Sequence, residues 1–438
     1  WHLAHSSQDF QDGTGQPGPY IHNFYDKDNV LIGTYSLTIT PPPVGSTIVT
    51  IESVGKIVED STISRKVRTR LAIPSFAKWA FVSSSDMRFG EGTEVFGPIH
   101  SNGGIRFDGI AHNIVSSARS SYDDPDHTGA NEFGVHTHLN IPVSSGVNNA
   151  FRPQEAPPTT PVPTRSDVFM AGRQLSVPSV DFVGLTTDIA QIKTDAQAAG
   201  RYFAGSGSLG YRVTLKTNDT FDLHRVTSLH NAPSGCTNSQ SQSGWGTWSV
   251  NNTSFVGNYA FPANGLIFLE DNMWVEGTVN TARLTIAAGR FPDNPATRAN
   301  ITVNNNLSYT NYDGQDVLAL IAQNNINVGM RSANNLRIDA AMIAQNGRIG
   351  RYYYDEDCES GGTDWYARDT LTLYGMLATF SRYGFAYTGI GINCPDSVEI
   401  SSGYCSRIIN YDANLLYGPP PSFPLTSDQY TAISWEEF

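Results

Sequence analysis

An internal repeat constrains this chain more than any other feature. Leu320-Ile321-Ala322-Gln323-Asn324-Asn325-Ile326 returns as Met342-Ile343-Ala344-Gln345-Asn346-Gly347-Arg348-Ile349, with the two Ile-Ala-Gln-Asn units 22 residues apart. That period suits one coil of a solenoid made of two or three short strands. Each strand pairs in parallel with its counterpart one coil away, and alternate side chains fill a narrow apolar interior. Asn and Gly take the tight corners, and Asn at equivalent places can hydrogen-bond as a ladder. Ile99-His100-Ser101-Asn102-Gly103 has the same shape, and Leu336-Arg337-Ile338 and the apolar run at 371–378 continue it. The expected fold is mainly β: a right-handed parallel β-helix, a small N-terminal antiparallel sheet, and a loop-rich insertion containing one helix. An ordinary antiparallel sandwich with Asn-rich turns is the competing architecture.

Composition supports strands over helices. Of 438 residues only 16% are charged, and Asn, Ser, Thr, Gly and Tyr are abundant, a mix suited to strands and polar turns. The net charge is −13. No Lys/Arg run interleaves with aromatics, so nucleic-acid binding is disfavoured, and an acidic surface is repelled by anionic lipid headgroups. No apolar run approaches the roughly 20 residues that span a bilayer. Position 1 is Trp rather than Met, and the expectation is that a preceding signal or anchor is missing.

Texture divides the chain into five parts. Residues 1–80 read as a helix end followed by an antiparallel sheet. Tyr35, Leu37 and Ile39 alternate with polar partners, Pro41-Pro42-Pro43 turns the chain, and alternation resumes at 48–53 and again at 65–71. Residues 81–115 are the first coils. Residues 116–264 are the insertion, with a Pro-rich connector at 152–165 and a helix at 186–204, where Ile189, Ile192 and Ala196 fall at helical spacing and Thr187 or Asp188 provides the cap. Residues 265–415 are further coils with a Tyr/Cys-rich loop at 352–368, and 416–438 form a Pro-rich tail.

Four cysteines are present. Cys394 and Cys405 flank a short Pro-containing loop and are expected to bond. Cys236 and Cys358 lie in Ser/Gly-rich segments that a second bridge could staple, the alternative being free thiols in a reducing compartment. No pair has Cys-x-x-Cys spacing, which disfavours a zinc knuckle or a redox motif. Five of the ten histidines fall between 100 and 138. His136-x-His138 on a strand turns both imidazoles to one face, and Asp124, Asp126 or His127 can complete a divalent-metal set whose role is to pin the insertion. The bland reading is a polar loop with hydrogen-bonded histidines. No other cofactor is indicated.

Glu270, Asp271, Asp313, Asp316 and Asp339, with Arg283, Arg337 and Arg348, invite comparison with β-helix polysaccharide lyases and hydrolases, which need carboxylates converging on one groove. Their Asp-Gly settings read as turn chemistry. No nucleophile elbow, phosphate loop or dinucleotide fingerprint occurs, so no catalytic residue is assigned. Tyr352, Tyr353, Tyr354, Trp365 and Tyr366 surround an acidic insertion and suit either a contact surface for glycans or proteins, or a cap over the coils.

The order Trp1-His2-Leu3, the strands at 35–40, 49–56 and 65–68, and above all Phe96-Gly97-Pro98-Ile99-His100-Ser101-Asn102-Gly103-Gly104-Ile105 resemble PilX-type minor pilins and related prepilin-like proteins. The resemblance covers about a quarter of the chain and is carried by the Gly-x-Ile-His-Ser-Asn-Gly element. It implies a membrane helix running into a small pilin-like sheet with a larger appended domain, and a non-catalytic structural or adhesive component of a type IV pilus-like apparatus at the bacterial cell surface. Its partners are then other pilin-like subunits or cell-surface components, with a glycan or a partner-cell surface as target, and the membrane is reached only through the absent N-terminal helix. The alternatives are a secreted β-helix lyase or hydrolase and a self-assembling β-solenoid scaffold.

Overall fold

A computed structural model describes residues 10–43, 45–60, 62–140, 152–157, 161–182, 189–394, 399–425 and 429–438. The chain is mainly β, with a large, predominantly parallel sheet and a separate antiparallel sheet. It divides into two units: 1–76 with 414–419 and 423–438, and 77–413 with 420–422. No helix among the described residues is long and apolar enough to cross a membrane.

The first unit holds the antiparallel sheet, five strands in the order Tyr20–Tyr25, Leu31–Thr40, Val49–Ile57, Ser64–Ala72 and Thr431–Glu437. The three middle strands follow the alternation at 35–40, 48–53 and 65–71. The Pro-rich tail is a correction: after its prolines the chain returns as an edge strand, with Trp435 opposite Thr69 and Glu437 opposite Val67. Prolines at 419–424 dominate the local pattern, and the pairing partner lies more than 350 residues earlier, so tail composition conceals it. The expected helix end at 1–9 lies outside the described residues, as do Thr187 and Asp188.

The second unit is built from residue ladders. Ile321 pairs in parallel with Ile343 and Ala322 with Ala344, the register of the 22-residue repeat. Followed from strand to strand, one ladder runs Ile267, Ile286, Leu320, Met342, Leu377, Phe81, Ile99, Val115. A second runs Leu307, Ile338, Leu373, Ile409, Val95, Ala111. A third runs Tyr211, Met273, Ile301, Ile326, Ile349. All of these side chains are buried in one apolar core. Stacked Ile, Leu and Val remove apolar surface from water at every level, and that burial is the dominant favourable term.

Order along the ladder differs from order along the chain. The strand Ala367–Thr379 pairs directly with Phe81–Ser83, and Glu399–Tyr411 with Thr93–Phe96. Late strands therefore pair with the earliest ones of this unit. The expected insertion at 116–264 is also less separate than its texture suggests. Arg201–Phe203 and Gly210–Lys216 add in parallel to Leu266–Leu269 and Met273–Val279, and Val135–His136 adds to Ile105–Phe107. The helix spans Ile189–Ala199, with Ile189, Ile192 and Ala196 buried. It stops before Tyr202 and Phe203, which belong to a strand pairing with 268–269.

Asn residues bind successive levels at one corner. The side-chain carbonyl of Asn272 accepts the Asn300 N–H at 3.0 Å, that of Asn300 accepts the Asn325 N–H at 3.1 Å, and that of Asn325 accepts the Arg348 N–H at 2.8 Å. Each turn's orphan backbone donor is thereby satisfied from the level before it.

Candidate metal centre

The segment after the first coils carries two short strand pairs. Ser121–Tyr122 pairs antiparallel with Glu132–Phe133, and Val135–His136 lies parallel to Ile105–Phe107 with His136 opposite Arg106. Gly134 joins them. A Cβ there would sit 2.0 Å from the Arg119 carbonyl oxygen, so the chain can turn between Glu132 and His136 only without a side chain.

The turn brings five ionisable side chains to one point. Asp124, His127, Glu132, His136 and His138 each place a donor atom within 4.8 Å of all the others. The three histidines present Nε2. Glu132 Oε2 lies 2.5 Å from His136 Nε2 and 3.1 Å from His127 Nε2, and Glu132 Oε1 lies 2.8 Å from His138 Nε2. Asp124 Oδ2 lies 3.4 Å from His136 Nε2 and 3.5 Å from His127 Nε2. No side chain of the five is more than 5% exposed. Neither ring nitrogen of His136 has a hydrogen-bond partner, nor does Asp124 Oδ2.

Electrostatics follow from that crowding. Burial pushes the Glu132 carboxyl up, but the imidazoles of His136 and His138 set against it outweigh this and hold the group at about 2. Asp124 is likewise pressed up by burial and drawn below the usual carboxylate range, chiefly by His136. Burial lowers His136, while Asp124 and Glu132 together raise it. Beside them, Arg106 is matched by Asp108, Nε to Oδ2 at 2.6 Å.

The sequence-derived donor set is thus corrected at two positions. Asp126 points away: its carboxylate bonds Arg382 Nη1 at 3.1 Å and Arg88 Nη1 at 3.3 Å, at the edge of a cavity of about 400 Å³ also lined by Arg348 and Arg407. The Asp126 N–H donates to Asp124 Oδ1 at 3.0 Å, and this turn sends the two carboxylates in different directions. Glu132 takes the vacated role. Only its position beside Gly134, four residues before His136, hinted at it.

The aromatic group is corrected too. Tyr352 and Tyr354 are 1% and 0% exposed, packed with Met330 around Cys236 and Cys358. The Tyr354 hydroxyl donates to the Gly246 carbonyl at 2.8 Å, and Arg351 beneath it donates to Ser332 Oγ at 2.9 Å. They form core because the 230–248 segment covers them. Tyr353, Trp365 and Tyr366 are half-buried. The structure pairs Cys236 with Cys358 and Cys394 with Cys405.

The acids weighed for glycan cleavage are engaged locally. Asp339 accepts the Tyr309 N–H at 3.0 Å and the Tyr312 hydroxyl at 2.7 Å. Asp316 accepts the N–H groups of Thr310 and Asn311 at 2.9 and 2.7 Å. Asp313 accepts the Gln315 N–H at 3.0 Å. Asp271 accepts the Ser206 N–H at 2.9 Å, and Glu270 pairs with Lys193 at 2.6 Å. The Gly-x-Ile-His-Ser-Asn-Gly element forms the strand Ile99–Ser101 and the turn after it: His100 Nδ1 lies 3.1 Å from Ser116 Oγ, and Asn102 Nδ2 donates to the Val180 carbonyl at 2.7 Å.

No family model matches the chain, and no curated protein matches it. Among solved structures it is similar to the competence-associated pilin ComZ from Thermus thermophilus, at 12% identity and a TM-score of 0.32, covering 95% of this chain and 86% of that one. A likeness that distant assigns neither fold nor role.

Proposed function

We propose that this chain is a non-catalytic structural or adhesive component of a pilus-like apparatus at the cell surface, with coils winding as a right-handed parallel β-helix. The observation that carries the reading is the set of apolar ladders in the second unit, which supports reading it as a scaffold. Catalysis at a β-helix face needs several charged groups converging on one groove. Here Asp313, Asp316 and Asp339 are engaged by turn N–H groups or tyrosine hydroxyls. The arginine-lined cavity contains none of them. Two disulfides favour an oxidising, extracytoplasmic setting. The link to pili rests on the sequence resemblance around residues 96–105. Partners in this reading are other pilin-like subunits, and Tyr353, Trp365 and Tyr366 remain for contact with a glycan or a protein.

Two measurements test this. Incubation with acidic and neutral polysaccharides, with and without calcium, is expected to release neither reducing ends nor unsaturated products. Turnover abolished by Asp313→Ala, Asp316→Ala or Asp339→Ala overturns the non-catalytic reading in favour of a lyase or hydrolase. Antibodies against the chain are expected to label fibres on intact producing cells, and label confined to the cytosol overturns the surface reading.

A further inference from the structure

We infer that Asp124, His127, Glu132, His136 and His138 bind one divalent first-row transition metal, zinc by donor chemistry, in a closed structural site that pins the 121–138 segment to the coil strand Ile105–Phe107.

Four observations converge on this. The first is geometric. Ligands around a tetrahedral zinc, with bonds of about 2.0–2.1 Å, lie about 3.4 Å apart. The separations of Asp124 from His127 and His136, and of Glu132 from His127, are 3.5, 3.4 and 3.1 Å, while Glu132 lies closer to His136 and His138, at 2.5 and 2.8 Å. The first three match the edges of such a polyhedron, and the two shorter contacts are ones that a shared ion would spread.

The second is unmet bonding. His136 is 0% exposed, and neither of its ring nitrogens makes a well-directed hydrogen bond, although Nε2 faces Glu132 Oε2 at 2.5 Å and Asp124 Oδ2 at 3.4 Å. A buried polar group without a partner is costly. A metal ion at the shared point supplies the missing partner for Nε2 and for Asp124 Oδ2 together.

The third is charge. Two buried carboxylates meet in the cluster, and the nearest guanidinium, Arg106, is shared between Asp108 at 2.6 Å and Asp124 at 3.6 Å. A divalent cation supplies countercharge at the point the two carboxylates share, and buried charge is tolerated only when matched. The fourth is ligand type. Three imidazoles with two carboxylates suit zinc and its first-row neighbours, whereas calcium and magnesium take oxygen shells. With every ligand at most 5% exposed, no position faces bulk solvent for a substrate, unlike catalytic zinc sites.

The consequence is mechanical. His127 and Glu132 stand on either side of the exposed 128–131 tip, and His136 is held against Arg106 by strand pairing. A metal ties the tip to the coil as a short disulfide would, without requiring oxidation.

The test uses the full chain, free of any histidine tag, dialysed against chelator. Zn²⁺ is titrated by calorimetry, and Co²⁺ is followed by visible absorption. Saturable binding of one ion per chain is expected, together with d–d absorption of cobalt stronger than that of the octahedral aqueous ion, as four or five nitrogen and oxygen donors give. Zinc is also expected to raise the Tm by about 5 °C or more. His136→Gln and Glu132→Gln are expected to weaken zinc at least about 100-fold, while His224→Gln, on the remote strand Thr220–Leu229, leaves it unchanged. Absence of saturable binding to the wild-type chain overturns the inference, as does affinity undiminished in both cluster variants. The wild-type cobalt spectrum decides the matter even if a variant fails to fold.

Discussion

Leu320 and His136 are both fully shielded from solvent, but opposite forces keep them so. Leu320 sits between Ile286 and Met342 in a ladder where every level repeats the same apolar contact. Its burial is favourable by itself, roughly 2 kcal/mol for such a side chain. His136 sits among two carboxylates and two further imidazoles, and burying those groups costs free energy unless each is matched. The stacked parallel strands are therefore stable by addition, whereas the 121–138 segment is stable only if its charges close. One region tolerates variation in any single level up to a volume limit, and the other depends on every member.

The largest expected effect breaks the coil side of this comparison. Leu320→Asn leaves a cavity and an amide without partners, and should cost about 5 kcal/mol in urea unfolding followed by circular dichroism. A loss below about 1 kcal/mol would mean that the ladder does not hold the unit together. Next comes the staple over the aromatic core. Cys236 and Cys358 are 122 residues apart, so Cys236→Ser with Cys358→Ser should cost about 3 kcal/mol. The same experiment under reducing conditions should show the double variant and the wild type converging.

A smaller effect sharpens the charged side. Asp126→Asn removes the partner of Arg382 and Arg88 while leaving the five-donor cluster intact. It should cost about 1 kcal/mol and leave zinc affinity within about threefold, since an Asp outside the shell contributes at most indirectly. Zinc affinity falling as far as in Glu132→Gln would return Asp126 to the donor set.

The smallest effect is a pH dependence at Glu270. Burial raises this carboxyl, but Lys193 and Tyr202 outweigh it and hold the group below its ordinary value. A depressed carboxylate stabilises the fold above its unfolded pKa, and that contribution disappears as pH falls through the folded value. Lys193→Met should thus be less stable than wild type at neutral pH by under about 1 kcal/mol. The difference should vanish well below pH ~4.5, the ordinary glutamate value. A gap that persists at low pH would assign the effect to packing against Phe291 and Tyr202 instead.

What could be read in the chain itself was whatever has a short period. The 22-residue repeat sets the pairing of Ile321 with Ile343, because equal spacing puts equal side chains at equal levels. Alternation at 35–40, 48–53 and 65–71 set three strands, because successive side chains in a strand point to opposite faces. His136-x-His138 marked two imidazoles that do meet, although the strand ends at His136 and His138 lies beyond it. The tertiary structure alone decided which distant surfaces meet. It laid 367–379 against 81–83, brought 431–437 back to 64–72, and buried Tyr352 and Tyr354 under the 230–248 segment. It exchanged Asp126 for Glu132, because an Asp turn and a glycine without room for a Cβ, not spacing, aim those two carboxylates. Periodicity is local and survives in the order of residues. Pairing between remote segments depends on which arrangement buries the most apolar surface and matches the most charge, and that is settled only when the whole chain is packed.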